Sequence, residues 1–378
     1  MEKVRFGIIG CGMVSFYHLS PFKKLENSNL EFVAAYDIDE KNLKNVSKRH
    51  NLTPYQNLDQ FFSHDMDAVL ILVPHHLHTS MVLAAAKAKK HILCEKPMAI
   101  SIEDCDRMIQ VTKKAGVKFM IAENHVFLPA HRMIKDFIDR GFIGDIFLGS
   151  TYEGAYVNQE EFLNPDVWHF TYDKGGGGVL MDQGVHKFAM LNWMLGDIDT
   201  IQCNLGKMIN SPPAKGEDNA SAILHYKNGA MINLQVSSTT IHPLTNRTEL
   251  HGTKGSIIED HAWNDPISIF TQHPDAEKRN EFFSPQVEHG PFPKYYTIAA
   301  REEDMYFADC ILNRKTPWFT PEQSKKTVEC VWLAYLAAKN KSQVSYEELQ
   351  DFLKDHKSTE ILENIDAVIR KNYTHLRW

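Results

Sequence analysis

No stretch of this sequence is long and apolar enough to span a bilayer. The longest apolar runs, such as 68–74, have the length of a strand. No basic tract appears either, and a net charge of −7 gives no reason to expect a nucleic-acid partner. Cysteine is sparse: the six residues at 11, 94, 105, 203, 310 and 330 lack the short paired spacings of a zinc site or a disulfide framework. That usage points to reduced thiols in a cytoplasm. Met1-Glu2-Lys3 runs directly into an apolar strand with no small-residue cleavage site, so no signal peptide is read. Internal repeats and low-complexity segments are absent. What is present is 43% hydrophobic and 24% charged over 378 residues, the profile of a globular protein with two domains.

The first ~120 residues alternate between strand and helix in the manner of a parallel sheet with crossover helices. Strands are expected over 6–9, 32–36, 68–73, 91–94 and 118–122, and helices over 13–25, 40–50, 78–89 and 102–115. From about residue 145 the pattern changes to strands over 146–157, 200–205, 221–226 and 230–237. Asn228-Gly229 marks a hairpin, and His251-Gly252-Thr253-Lys254-Gly255 turns a further one into 256–259. Helices return over 302–313 and 323–339, residues 273–300 read as a long loop, and the tail after Ser345 as one or two amphipathic helices. The fold class is therefore α/β: an N-terminal doubly wound parallel sheet, then an α/β domain with a large, mostly antiparallel open sheet. The domain boundaries expected are 1–124, 125–345 and a helical tail over 346–378.

Gly10-Cys11-Gly12-Met13-Val14-Ser15 follows the first strand and opens a helix. The first glycine permits a tight turn, the second lets backbone approach a pyrophosphate, and Ser15 is small enough for helix–strand packing. Asp37 ends the second strand, where a carboxylate accepts ribose hydroxyls and repels a 2′-phosphate. No arginine follows it, so NAD is favoured over NADP. His75, His76 and His78 follow the third strand; their spacing gives no helical ligand pair and no metal is expected. His78, at the start of the next helix, is the one expected to touch cofactor.

Lys96 closes a later strand and is followed by Pro97, an arrangement that aims an ammonium over the sheet edge, where it would assist loss of a hydroxyl proton. Lysine is also the commonest surface residue, and a solvated Lys96 is the competing reading. The second constellation is Gly175-Gly176-Gly177-Gly178 followed by Asp182 and His186. Four glycines bring backbone close to something, and residues four apart share a helical face, so Asp182 can orient His186 or bind a substrate hydroxyl. An ordinary surface Asp–His pair is the alternative. Trp168 and His169 precede the glycines and are candidates for packing on a sugar face or in the core. Tyr152, Tyr156 and His125 rank behind them.

Taken together, GIIGCGMVS, the acidic end of strand two, Pro74-x-x-x-His78, Cys94-Glu95-Lys96-Pro97, Ala122-Glu123-Asn124, and GGG followed by Asp182-x-x-x-His186 resemble the Gfo/Idh/MocA oxidoreductases. The resemblance extends over roughly 4–340, through His251-Gly252-Thr253-Lys254-Gly255 and Arg301-Glu302-Glu303-Asp304. It implies a Rossmann domain, an open-sheet domain, and NAD-dependent oxidation of a secondary hydroxyl on a sugar, cyclitol or glycoside. It implies Lys96, Asp182 and His186 as catalytic residues, with Gly10, Cys11, Gly12, Met13, Val14, Asp37, Pro74, His78, Glu95, Lys96 and Asn124 at the cofactor. Lys96, Trp168, His169, Asp182 and His186 would meet the substrate. His75 stands where the family often has asparagine, and 187–189 lack an acid found in many members, which bears on substrate recognition and not on the redox step. An NAD-retaining redox-elimination route, or a dinucleotide- or sugar-sensing protein without turnover, remain the alternatives. Family members often cover the open sheet with another subunit, so a homodimer or homotetramer is expected.

Overall fold

The computed structural model describes residues 2–25, 27–156, 167–208, 215–242 and 244–369. The chain divides into two compact units, one of Met1–Phe127 with Tyr296–Lys326, the other of Leu128–Tyr295 with Thr327–Trp378. Chain order alone had put 296–326 in the second domain and set the tail apart; compactness groups them differently.

In the first unit, β1 (Val4–Ile9), β2 (Leu30–Tyr36), β3 (Thr53–Tyr55), β4 (Ala68–Ile71), β5 (His91–Glu95) and β6 (Phe119–Ala122) form one sheet in the order β3-β2-β1-β4-β5-β6. Every neighbouring pair is parallel. This is the order of a doubly wound dinucleotide-binding sheet, which opens a ligand crevice where the order reverses, between β1 and β4. β4 is buried along its whole length, as a strand covered on both faces must be.

Capping chemistry fixes the helix ends. Asp39 accepts the Asn42 N–H at 2.9 Å at the start of α2 (Glu40–His50), and left-handed Asn51 closes it. Ser101 accepts from Asp104 N–H at 3.1 Å at the start of α5 (Ile102–Ala115), and Gly116, with φ +70°, closes it. The first helix departs from expectation: Ser15–Leu19 is α-helical, and Pro21 then starts a 3-10 turn over Pro21–Lys24. Proline has no N–H to continue the ladder, so the helix expected over 13–25 breaks in two. Helix Lys294–Leu312 contributes Phe307 against Phe6 at 6.3 Å between ring centroids, extending a cluster with Phe32 and Phe22.

The second unit is built on a sheet of nine strands among the described residues. They are β7 (Ile146–Gly154), β8 (Ile198–Gly206), β9 (Asn219–Tyr226), β10 (Met231–Ser237), β11 (Thr245–Gly252), β12 (Gly255–Asp260), β13 (Ile267–Thr271), β14 (Phe282–Phe283) and β15 (Val344–Ser345), in the order β14-β13-β12-β11-β7-β10-β9-β8-β15. All pairs are antiparallel except β7 with β10. Burial alternates along β8, β9 and β10, so one face of the sheet lies in the core and the other lies open. The helix Val185–Leu195 and the buried Trp332, Leu333 and Tyr335 of helix Pro321–Asn340 belong to that core. β13 and β14 fall in or beside the stretch read as loop, and helix Lys294–Leu312 starts eight residues before the expected 302. Residues 157–166 and 370–378 of the tail lie outside the described residues.

Candidate active site

The turn after β1 shows why its two glycines differ. Gly10 has φ +102°, and a Cβ there would run into the Leu72 carbonyl, 2.7 Å from its carbon. Only glycine fits that position. At Gly12 a Cβ would meet nothing within 4 Å, so its bareness answers to no packing in the protein. Ser15 is buried and its hydroxyl donates to the Gly12 carbonyl at 2.6 Å, the small third position the fingerprint requires. Asp37 accepts the Cys11 N–H at 2.6 Å on one oxygen and the Asp39 N–H at 2.8 Å on the other. An ionised carboxylate has about four acceptor sites, so two remain for ribose hydroxyls. Burial, and then Asp37, push the Cys11 thiol up to about 12, so it stays protonated at neutral pH. Met13 is exposed, and Val14 precedes the short helix.

Pro74 leads from β4 into a 3-10 turn, His75–Leu77. His78 is fully buried, with Nδ1 2.8 Å from the Pro97 carbonyl oxygen and Nε2 2.9 Å from that of Val73. Burial lowers its pKa. The ring lies between the loop after β4 and the turn after β5, and in its neutral form its one N–H donates to one of these two carbonyls. Glu95 and Lys96 stand at the carboxyl end of β5, with a cis Lys96–Pro97 bond and the Lys96 N–H donating to Glu95 at 3.0 Å. Lys96 is half-buried, not a freely solvated surface lysine. At the end of β6, Asn124 is buried and its side-chain oxygen has no hydrogen-bond partner among the described residues. The open space at Gly12, the fixed Asp37 carboxylate and the unpartnered Asn124 oxygen lie at strand ends of one carboxyl edge, and they fit a dinucleotide.

In the second unit the glycine run is drawn tight by its own core. A Cβ on Gly178 would enter the Glu217 backbone, and one on Gly177 would strike the Tyr335 ring. Gly178 N–H donates to the Tyr335 hydroxyl at 3.1 Å, and that hydroxyl donates to Glu217 at 2.8 Å. Leu180 N–H donates to the same Glu217 oxygen at 2.9 Å, and Val179 N–H to the Glu217 carbonyl at 2.8 Å. Burial raises Glu217 to about 7. Sequence reading missed this pair.

Asp182 does not sit on the α-helix that its four-residue spacing to His186 suggests. Leu180–Gly184 is a π-helical turn, with Asp182 half-buried on it, and the α-helix starts at Val185 with His186 in its first turn. The two stay neighbours in sequence register, but on the wider turn of an i→i+5 helix. Lys187 is fully buried; its Nζ donates to Asn246 Oδ1, and it faces Glu153 and Glu259. A lysine in an otherwise apolar helix was the available signal for it. Trp168 and His169 are half-buried with ring centroids 3.6 Å apart. Tyr152 alternates to the sheet face opposite Thr151 and Glu153, where its hydroxyl meets Thr240 and His242. Tyr156 bridges to Thr239, and the His125 ring lies 3.1 Å from the Tyr296 hydroxyl.

Among the described residues, two clusters within single units bring three imidazole or carboxylate atoms within 4.8 Å of one another: His131, Glu259 and His261, and His18, Glu303 and Asp304. In the first, Glu259 bridges His131 at 2.8 Å and His261 at 2.6 Å. Burial alone would raise Glu259, but the two imidazoles hold it well below the usual carboxylate range.

A doubly wound sheet with a bare glycine turn, an acidic second strand and a lysine at the same edge defines a nicotinamide-dependent oxidoreductase. The chain belongs to the Gfo/Idh/MocA family: residues 4–123 match the oxidoreductase family with an NAD-binding Rossmann fold, and residues 131–258 match the GFO/IDH/MocA C-terminal domain. It is an NAD-dependent enzyme acting on CH–OH groups. It is similar to the myo-inositol 2-dehydrogenase of Thermotoga maritima, 24% identical over 351 residues covering 92% of this chain and 99% of the relative. It is also similar to the 2,7-anhydro-N-acetylneuraminate hydratase of Escherichia coli, 29% identical over 261 residues covering 68% of each. Among solved structures, a levoglucosan dehydrogenase in complex with NADH superposes with a TM-score of 0.81 at 20% identity, covering 91% of this chain and 99% of that one.

Proposed function

We propose that the protein reversibly oxidises a secondary hydroxyl of a sugar, cyclitol or glycoside in the cytoplasm. The observation that carries the reading is Lys96, a half-buried lysine at the carboxyl end of β5, on the edge that also presents Gly12 and Asp37. Gly10 to Val14 cradle the dinucleotide backbone, Asp37 holds a ribose, and Pro74, His78, Glu95, Lys96 and Asn124 line the remainder. NAD supplies the hydride acceptor or donor. His186 takes the hydroxyl proton on an imidazole nitrogen, and Lys96 steadies the charge developing on oxygen. Asp182 orients His186 or holds a neighbouring substrate hydroxyl, with Trp168 and His169 at the sugar. All six cysteines are buried thiols, as suits a reducing compartment.

The decisive experiment is NADH absorbance across a polyol and glycoside panel, repeated with Lys96→Ala. The variant is expected to bind NAD but lose about 100-fold or more in kcat; full turnover would refute the assigned role. The hydratase relative favours a second reading, in which NAD is retained and elimination and hydration occur between two redox steps. Product formed without net NADH would select it. The open sheet face exposes Leu148, Ile223 and Met231, and we assign that face to a second copy in a homodimer or homotetramer. Sedimentation as a monomer at micromolar concentration would reject it.

A further inference from the structure

Directly behind the Glu95–Lys96 edge, the first unit buries an imidazole among carboxyl groups that the reaction does not use. His18, on the short helix after the glycine turn, is 1% exposed. Its Nδ1 lies 3.0 Å and 3.1 Å from the two carboxylate oxygens of Asp304, and its Nε2 lies 3.2 Å from Glu95 Oε1. Glu95 Oε2 in turn accepts the Lys96 N–H at 3.0 Å. Asp304 is 1% exposed on helix Lys294–Leu312. A chain of contacts thus runs from a buried aspartate, through both nitrogens of one histidine, to the backbone of the lysine.

We propose that His18 is a positioning residue, a two-armed clamp that takes its hold from Asp304 and fixes the Glu95 carboxylate in place beneath Lys96 for the bound dinucleotide. The inference rests on the reading of Glu95 and Lys96 as cofactor-binding residues.

The chemistry of the ring carries the argument. Only the imidazolium has two N–H donors; either neutral tautomer would turn a lone pair onto a carboxylate. Burial works against the charged form, but the Asp304 and Glu95 carboxylates outweigh it and hold His18 well above its ordinary value. The other titratable groups around the clamp are Glu303 on the Asp304 helix, Glu123 at the end of β6, and His78 and Lys96 beside Glu95. Glu303 is fully buried, and neither of its oxygens has a partner among the described residues. Burial pushes it well above the usual carboxylate range, against the charge of His18, with Asp304, Glu95 and Glu123 adding to the upward shift. One cation therefore balances two close carboxylates. Without it, two negative groups would share a buried space, and the pair would hold a shared proton more tightly than either carboxyl alone.

Two substitutions tilt the clamp in opposite directions. His18→Asn keeps a side-chain donor but removes the charge, so the acid pair protonates as pH falls and Glu95 loses its hold. Asp304→Asn leaves the imidazole with one carboxylate in place of two, so it loses its proton as pH rises. NADH affinity, measured by fluorescence titration from about pH 6 to about pH 8, reads both. The parent is expected to be flat. His18→Asn should bind about tenfold more weakly at the acid end and recover toward the alkaline end, and Asp304→Asn should show the reverse slope. Glu303→Gln, which leaves the His18 contacts to Asp304 and Glu95 in place, should stay flat.

Affinity losses that are the same at every pH, or a sloping Glu303→Gln profile, would overturn the clamp. If His18→Asn fails to fold by circular dichroism, the slope of Asp304→Asn decides alone. A parent that binds NADH and loses turnover on Lys96→Ala, with flat variants, would end this inference and leave the functional reading intact. A parent that binds no NADH would end the functional reading first.

Discussion

Replacing Gly12 with alanine separates a glycine kept for ligand from one kept for fold. A Cβ at Gly12 meets no atom within 4 Å, and its φ lies outside the left-handed region, so Gly12→Ala strains neither packing nor backbone. The ligand-free melting temperature should hold or rise slightly, because alanine narrows the unfolded ensemble by about 0.4–1 kcal/mol. The methyl group would occupy the space a pyrophosphate needs, so NAD affinity should fall about 10- to 100-fold. The assay is a thermal melt with and without NAD. At a concentration about 100 times the parent dissociation constant, NAD stabilises the parent by about 2.7 kcal/mol, the tenfold-weakened variant by about 1.4, and the hundredfold-weakened one by about 0.4. Gly10→Ala is the internal control. There the backbone at φ +102° and the Leu72 carbonyl both oppose a side chain, and the expected cost is about 2–4 kcal/mol without ligand. An undiminished NAD shift in Gly12→Ala would refute the placement of the pyrophosphate. A ligand-free melt as low as that of Gly10→Ala would refute the distinction itself.

Glu217 gives a prediction in pH. Its folded value of about 7 lies above its ordinary 4.5, so the folded state holds the proton more tightly and ionisation costs stability. That cost is absent below about pH 4.5, grows through the interval and is complete above about pH 7, at about 1–3 kcal/mol. Glu217→Gln should therefore raise the melting temperature more at pH 8 than at pH 5, and equal shifts at the two would refute the assignment. At the cofactor edge, Asp37→Asn keeps an acceptor for one of the two backbone N–H groups but removes the charge facing a 2′-phosphate. The ratio of kcat/KM for NAD over NADP should fall about tenfold, and an unchanged ratio would show that Asp37 does not face the ribose.

Local signals were legible where a short stretch of chain settles the structure. Asp39 and Ser101 cap their helices, and Asn51 and Gly116 end them, so α2 and α5 begin and end where sequence reading puts them. Asn228-Gly229 and the turn His251–Gly255 gave the antiparallel hairpins, and the glycine fingerprint gave the turn after β1. Pro21 was visible, and its missing N–H should have divided the first helix. β3 was not visible, because Thr53-Pro54-Tyr55 is three residues with a proline at the sheet's edge, below any periodic signal. The parallel pairing of β7 with β10 joins strands some eighty residues apart, and neither strand's composition names the other. The burial of His78 was not legible, because the carbonyls of Val73 and Pro97 that enclose its ring come from two different loops.

The four-glycine run shows how a correct inference from sequence can stop short of its cause. Glycine there meant close approach, and the approaching groups are the Glu217 backbone and the Tyr335 ring, contributed from about 40 and 160 residues further on. Those partners take up the N–H groups of Gly178, Val179 and Leu180, which begin the turn carrying Asp182. Fixed from behind in this way, the chain passes through a π-helical turn before settling into the α-helix that holds His186. Such turns are uncommon and concentrate at functional positions, because they re-aim side chains that an unbroken helix would place elsewhere. The Asp182–His186 spacing is therefore not sufficient to define the site. Its geometry is set by a buried acid and a tyrosine that no local motif includes, and a variant that loosens Glu217 or Tyr335 should disturb Asp182 before it disturbs the sheet.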